Sequence, residues 1–515
     1  MNRKFTFLTL ITFLSTFIFS PSNLYSQDGS LDLTFGTNGK VITDIGGADD
    51  IGKSVAIQSD GKIVVAGFIA IGSKHDFAVV RYNSNGTLDP SFGNNGKVTT
   101  AVGDNKDDGF AVAIQSDGKI LVAGTSNYNN DTQGNFALVR YNSDGTLDPT
   151  FDSDGKVTTT FGSGNHRAFA VTLQKDGKIV VAGYCFNGTD NDFALVRYNI
   201  DGTLDSSFDN DGKVTTAFGS GLDACYSIAI LSDDKIVAAG YSYNGIDYDF
   251  AMAKYNNDGT LDPGFGTNGK VTTAIGSGND YCNTVALQRD GYIILAGSSY
   301  NGSGNDFAVV RYNSGGNLDP NFGSAGKVTT AIGSENSFYS VVLQKDGKIL
   351  AAGYTYNGTE FDFALVRYSS NGTLDQSFDN EGKLTTNFGN FYELGYSLAI
   401  QNDNNIVLAG ISGNGSSNDF AVSRYTTTFT GLKDNLNGNF ILDVYPNPAS
   451  ESLIVKVNGK LLGLNYAISN SIGKSIINGK LISEITRINI NALPSGIYFI
   501  NVDGSNQNEF KIIKK

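Results

Sequence analysis

The sequence predicts an all-β protein: a seven-bladed β-propeller of four-stranded antiparallel blades, plus a small C-terminal β-sandwich. Three observations lead to this fold class. A motif of the form "DGTLDPTFDSDGKV" recurs seven times, 56 to 59 residues apart, a period that belongs to stacked or radial repeats. Each unit holds four short β-like runs separated by turn residues, which is the content of one propeller blade. The first copy begins with a fourth-strand motif and the last ends with a third-strand motif, so one blade is shared between the two ends of the array.

Residues 1–26 read as a secretory signal peptide. Arg3 and Lys4 precede the apolar run "FTFLTLITFLSTFIF", and Leu24-Tyr25-Ser26 offers a cleavage site before Gln27. No later segment is apolar enough to span a bilayer. The net charge of −14 repels a phosphate backbone, and no basic patch with interleaved aromatics offsets it, so nucleic acid is not an expected partner. The three cysteines, Cys185, Cys225 and Cys282, are too few for a disulfide framework and read as buried thiols.

The repeats occupy 27–426 and start at Asp28, Asn85, Asp144, Asp201, Asp258, Gly315 and Asn371. The second unit shows the four runs: "FAVAIQ" (110–115), "KILVAG" (119–124), "FALVRYN" (136–142) and "KVTTT" (156–160). An Asp-Gly turn joins the first two as a tight hairpin. Closure of the ring requires residues 40–44 to supply the outer strand of a blade whose other three strands lie in 396–426.

Two charges recur with every unit. The "LD" aspartate stands at Asp32, Asp89, Asp148, Asp205, Asp262, Asp319 and Asp375, and a basic residue in the third strand at Arg81, Arg140, Arg197, Lys254, Arg311, Arg367 and Arg424. A catalytic centre needs particular groups converging once. Charges repeated seven times are better explained as turn caps and ion pairs. The segments "FDSDG" (151–155), "FDNDG" (208–212) and "FDNEG" (378–382) resemble fragments of calcium loops but supply too few oxygens. No cofactor is expected, and calcium at these segments is the alternative that stays open. His75 and His166 lie in no metal-ligand spacing, and no metal is assigned.

Antiparallel blades place their connections alternately on two faces. The "SDG" turn and the "LDPSF" connection share one face and are nearly constant. The 2–3 loops and inter-blade links share the other and vary, which makes it the expected ligand face. Its candidates are Tyr243, Tyr248, Tyr281, Tyr300, Tyr339, Tyr356 and Tyr392, with the acids Asp223, Asp280, Glu335 and Glu393. Tyrosine faces and polar side chains suit sugars or protein surfaces. The plainer role for any one of them is packing between blades or capping a turn.

Residues 427–440 read as a linker. Residues 441–515 carry alternating runs such as "SLIVKV" and "IYFINV", enough for a small antiparallel sandwich.

Two resemblances follow from these residues. The unit "AIQSDGKIVVAG…FAVVRYNSNGTLDPSFGNNGKV" resembles the bacterial delta-60 repeat, a propeller-type repeat of exported and surface proteins; this implies architecture and no catalytic set. The tail resembles the C-terminal sorting domain of the type IX (Por) secretion system of Bacteroidetes, through "VYPNPASESLIVKV" (444–457), "SIGKSI" (471–476), "LPSGIYFINV" (493–502) and "FKIIKK" (510–515). That resemblance implies the type IX machinery as a partner, and release or display at the cell surface by way of the periplasm. The functional expectation is a non-catalytic binding or adhesion protein engaging glycan or protein. The alternative is a polysaccharide- or peptide-degrading enzyme using the acids of the inter-blade links.

Overall fold

The computed structural model describes residues 28–427 apart from 130–132, 380, 390–391 and 414, and residues 442–514 apart from 446–448, 458–462, 471–473, 484 and 503–508. The expected signal segment at 1–26 lies outside the described residues, as does the expected linker of 427–440 beyond its first residue. The chain divides into two compact units, Met1–Phe429 and Thr430–Lys515. All regular elements among the described residues are β-strands.

The first unit is a ring of seven four-stranded antiparallel blades. The second blade is representative, with strands Lys106–Ile114, Ile120–Tyr128, Asn135–Tyr141 and Lys156–Thr159 paired in sequence order. The first strands are Asp50–Ile57, Lys106–Ile114, His166–Leu173, Asp223–Ile230, Asp280–Leu287, Glu335–Leu343 and Tyr392–Ile400. Each packs against the first strand on either side, and Tyr392–Ile400 packs against Asp50–Ile57, so these seven strands surround the axis. The ring closes as the repeat phase requires. Lys40–Thr43 pairs antiparallel with Asn418–Tyr425, with Lys40 opposite Ser423 and Thr43 opposite Phe420.

The core lies between blades. Leu121 and Leu138 of one blade pack with Ile179, Val181 and Val196 of the next. Second and third strands are therefore covered on both faces, which is why they read as continuous apolar runs rather than alternating ones. A hydrogen-bonded clasp repeats at each interface. The third-strand tyrosine meets the fourth-strand threonine of the preceding blade, as in Tyr198–Thr159 at 2.7 Å and Tyr255–Thr216 at 2.8 Å.

The recurring charges are structural. Every "LD" aspartate pairs with the third-strand cation of its blade, from Arg311–Asp319 at 2.5 Å to Lys254–Asp262 at 3.3 Å, and Asp32 pairs with Arg424 across the closure. The guanidinium lies over the buried phenylalanine of the same connection, 4.6 Å from the ring of Phe208 in the third blade. Arg197 also donates to the carbonyl of Asn257 in the following blade. Burial pushes the Asp89 carboxyl up, but the Ser91 hydroxyl and amide, Arg81 and Lys62 outweigh it and hold the pKa down to about 2. In the segments that resemble calcium loops, Asp154 and Asp211 each accept a hydrogen bond from the amide two residues on, at 2.9 Å.

The "AG" of every second strand has a steric cause. A Cβ on Gly240 would sit 1.9 Å from the Ala224 carbonyl oxygen, and one on Gly297 1.8 Å from that of Tyr281. The first strand comes this close because it bulges there: the pairing skips Tyr226 between Cys225 and Ser227, and Asn283 between Cys282 and Thr284. A bulge bends its strand and re-aims one side chain.

The second unit is a small sandwich. Strands Leu442–Tyr445, Ser452–Val457 and Ile485–Asn489 form one sheet; Ser475–Lys480, Asn465–Asn470, Gly496–Val502 and Glu509–Lys514 form the other. Leu453, Val455 and Ile488 from the first share one core with Ile468, Ile500 and Ile512 from the second.

Candidate functional site

The bulge occurs in all seven blades and defines a belt around the axis. The skipped residues are Lys53, Phe110, Phe169, Tyr226, Asn283, Tyr339 and Tyr396. Five of them are aromatic, and neighbours touch across blades: Phe110–Phe169 at 5.0 Å, Phe169–Tyr226 at 4.5 Å and Tyr339–Tyr396 at 5.2 Å between ring centroids. The Lys53 ammonium lies 3.5 Å from the Tyr396 ring centre. Its pKa falls to about 7, because burial disfavours the charge and Arg167 repels it, while Asp108 opposes both. Lys53 retains partly open surface yet stands deep within the ring; the low pKa reflects the protein walls around it.

The belt extends toward the variable face as three aromatic groups. The first places Tyr241 against Tyr226 at 5.3 Å, Tyr248 at 5.3 Å and Tyr281 at 4.9 Å, with Tyr243 5.3 Å from Tyr248. The Tyr226 and Tyr241 hydroxyls are 3.2 Å apart. The second links Tyr339 to Tyr354, and Phe361 to Tyr354, Tyr356 and Tyr392. In the third, His75 stacks on Phe68 at 5.0 Å and its Nδ1 lies 2.6 Å from Asp108. Arg167 approaches the same carboxylate at 3.6 Å while covering Tyr128 and Phe110.

The structure thus gathers six of the seven candidate tyrosines. Tyr243, Tyr248 and Tyr281 join one group; Tyr339, Tyr356 and Tyr392 join another. Tyr300 stands apart, exposed at the end of Ile293–Tyr300. The acids behave differently. Asp223, Asp280 and Glu393 are fully buried at the starts of first strands. Each turns a carboxylate oxygen back onto its own inter-blade link: the amides of Phe218 at 2.7 Å, Ile275 at 2.6 Å and Phe388 at 2.8 Å. Burial pushes the Asp223 carboxyl up to about 6, against the Phe218 amide. Glu335 is exposed and pairs in register with Tyr356.

Other polar residues of this face also serve the chain. Asn187, Asn244, Asn301 and Asn357 accept hydrogen bonds from amides two residues on and shape the 2–3 loops. His166 is buried, with Nε2 3.2 Å from the Gly162 carbonyl oxygen. Cys185, Cys225 and Cys282 are buried and unpaired. On the opposite face, a groove of about 730 Å³ opens between the first two blades, lined by Gln58, Asp60, Lys62, Arg81 and Ser143. Its two cations both reach Asp89.

Of the belt, Tyr339 alone was among the sequence-derived candidates. The signal of the belt is the residue three positions after an acid or polar residue at or next to the start of each first strand (Asp50, Asp107, His166, Asp223, Asp280, Asn336 and Glu393), seen in "DACY" and "ELGY". Only the bulge turns that position inward.

Comparison with known proteins adds the following. Residues 58–92, 115–151, 174–208, 231–265, 288–322, 344–378 and 401–428 match the family described as a domain of unknown function (DUF5122) beta-propeller. Residues 443–515 match the secretion system C-terminal sorting domain. No curated protein matches at a significant level. Among solved structures, PorZ, a surface component of the type IX secretion system of Porphyromonas gingivalis, is 14% identical, with 92% of this chain and 61% of that one covered at a TM-score of 0.39. This chain therefore spans less than two thirds of PorZ. The polysaccharide lyase Uly1 is 10% identical over 79% of this chain and 94% of its own, at a TM-score of 0.42. Drosophila Semaphorin 1b is 9% identical, with 78% and 87% covered, at a TM-score of 0.40.

Proposed function

Starting from a chain built of seven DUF5122 β-propeller repeats and a type IX sorting domain, exported to the cell surface or released, we propose that this is a glycan-binding propeller. Its ligand face is the variable one, and its anchors are Tyr243, Tyr248 and Tyr281, with Tyr339, Tyr356 and Tyr392 as a second subsite. The observation that carries this reading is the convergence of six partly exposed tyrosines onto two ring-stacked groups continuous with the axial belt. Ring faces give sugars a flat apolar platform, and phenolic hydroxyls give hydrogen bonds at their edges. Such a surface binds without a nucleophile or base.

The test incubates the full chain with a panel of soluble and insoluble polysaccharides and scores depletion from solution together with new chain ends. Retention without products, reduced at least about tenfold by Tyr248→Ala with Tyr281→Ala, supports binding. Failure of every polysaccharide to retain the protein refutes the glycan reading and directs the search to protein partners.

A catalytic reading has one observation in its favour: Lys53, with its pKa near 7, stands with His75, Asp108 and Arg167 inside an aromatic ring. New chain ends that vanish with Lys53→Met or His75→Ala would establish it. Three of the four acids first considered for that role are committed to their own links.

A further inference from the structure

The junction where the ring closes differs from the other six. Lys40–Thr43 ends there, Asp44 leads into the link, Asp50 opens the next first strand, and Asp419 stands in the strand that Lys40–Thr43 joins. One carboxylate oxygen from each of Asp44, Asp50 and Asp419 lies within 4.8 Å of the others. Asp50 is 1% exposed. Its Oδ2 accepts from the Ile45 amide, while Oδ1 has no hydrogen-bond partner.

Two departures from the repeat create this arrangement. The position of Asp44 is held by Ala101, Thr160, Ala217, Ala274, Ala331 and Asn387 at the other junctions. The cross-strand neighbour of the opening residue carries a hydroxyl in four blades: Ser242 opposite Asp223, Ser299 opposite Asp280, Thr355 opposite Asn336 and Ser412 opposite Glu393. Thr355 donates to Asn336 at 2.7 Å. Opposite Asp50 stands Ile69, which offers no donor. A carboxylate has been added and the hydroxyl neighbour is absent; because Oδ1 of Asp223 and Asp280 also lacks a hydrogen-bond partner, the added carboxylate is what sets this junction apart.

Among the described residues no Lys or Arg forms an ion pair with Asp44, Asp50 or Asp419, and Lys97 reaches only the Asp44 carbonyl oxygen, at 2.7 Å. Asp49 adds a fourth carboxylate nearby, accepting from the Asn418 amide and side chain at 3.0 and 2.8 Å. Three converging carboxylates, one of them buried with an idle oxygen, constitute a site for a hard cation.

We propose that this junction binds one calcium ion through Asp44, Asp50 and Asp419, pinning the first strand of the chain to the last blade. The choice of ion follows from the donor set and its irregularity. Ligand oxygens within 4.8 Å of one another fit around a calcium ion, whose bonds of about 2.3–2.6 Å tolerate irregular carboxylate sets, whereas magnesium demands near-ideal octahedral geometry and dehydrates reluctantly. The site belongs to the closure, independent of the glycan reading and of the "FDSDG"-type segments. It would fill in calcium-rich surroundings, where the exported protein works.

The test uses the full chain, stripped with a chelator and dialysed against calcium or magnesium at about 1 mM, the working range of extracellular calcium modules. Bound metal is counted by elemental analysis and the melting temperature is recorded. One calcium per chain and a melting temperature raised by several degrees are expected, with magnesium giving less than half the shift. Asp44→Ala installs the residue that four other junctions already carry, so it should fold; the calcium shift and the bound ion should disappear. Asp419→Asn should weaken binding at least about tenfold. Absence of a calcium shift in the unaltered chain, equal effects of calcium and magnesium, or undiminished binding in Asp44→Ala would each overturn the proposal.

Discussion

Replacing Gly240 with Ala tests whether the bulge is the device that builds the axial belt. The added methyl would lie 1.9 Å from the Ala224 carbonyl oxygen and 2.9 Å from its carbon and the Cys225 Cα. Restoring ordinary contact needs more than 1 Å of backbone movement in a strand that also packs against both neighbouring first strands. Overpacking of this kind costs about 1–3 kcal/mol. Loss of glycine's freedom in the unfolded chain returns about 0.4–1 kcal/mol. The net expectation is a loss of about 1.3 kcal/mol. Gly219 is the control: nothing lies within 4 Å of its added methyl, so Gly219→Ala should be neutral or stabilising by up to about 1 kcal/mol. The assay is urea unfolding followed by far-ultraviolet circular dichroism, with near-ultraviolet dichroism reporting the tyrosines, since the chain has no tryptophan. Gly240→Ala within about 0.5 kcal/mol of the parent, with an unchanged tyrosine spectrum, would refute the steric argument.

The other predictions concern clasps and charges. Tyr198→Phe removes a 2.7 Å hydrogen bond to Thr159 between blades and should cost about 1 kcal/mol in the same unfolding assay. Arg197→Met leaves Asp205 buried beside Lys178 alone and should cost about 3 kcal/mol, read as a lower urea midpoint at neutral pH. The depressed pKa of Asp89, about 2 against an ordinary 3.8, means its pairing stabilises fully above about pH 4 and is lost as pH falls toward 2; urea midpoints across that window should decline with acid. Lys53 runs the other way. Its folded pKa of about 7 lies below the unfolded value near 10.5, so below pH 7 its charge, desolvated by the surrounding walls, is a full penalty, which is relieved as pH rises from 7 toward 10.5. Lys53→Met should therefore gain most stability near pH 6 and lose that advantage near pH 10.5, measured as paired urea midpoints.

The architecture was legible because its determinants are local and repeated. Asp-Gly between two apolar runs means a hairpin wherever it occurs, and the offset of "KVIT" at one end and "FAVSRY" at the other required a shared blade. The pairing of Asp205 with Arg197 could be anticipated from recurrence alone. What could not be read was which residue of the first strand faces the axis. Strict alternation has no means of marking Tyr226 or Lys53, because the bulge arises from backbone crowding that only the paired glycine records. The acids misled for a related reason: Asp223, Asp280 and Glu393 stand in variable links, but each folds back five residues to cap its own turn. Tyrosine positions were recognised singly, whereas their grouping depends on neighbours from different blades.

The closing strand also determines how the ring yields to force. Lys40 and Tyr425 lie near the same end of an antiparallel pair, and beyond it Asp32 bonds to Arg424 while Gly29 and Ser30 bond to Thr426. A pull between the start of the ring and the segment that follows Tyr425 loads these rungs one after another, as a zipper is opened, rather than all together. The outermost contacts, of Asp28 with Arg367 and Asp379 and of Gly29 and Ser30 with Thr426, part first, then the Asp32–Arg424 ion pair, and only then the strand itself. A ring secured at its seam against heat is thus opened most easily by tension applied at its two ends, and a load entering through the loops of the disc spares that seam.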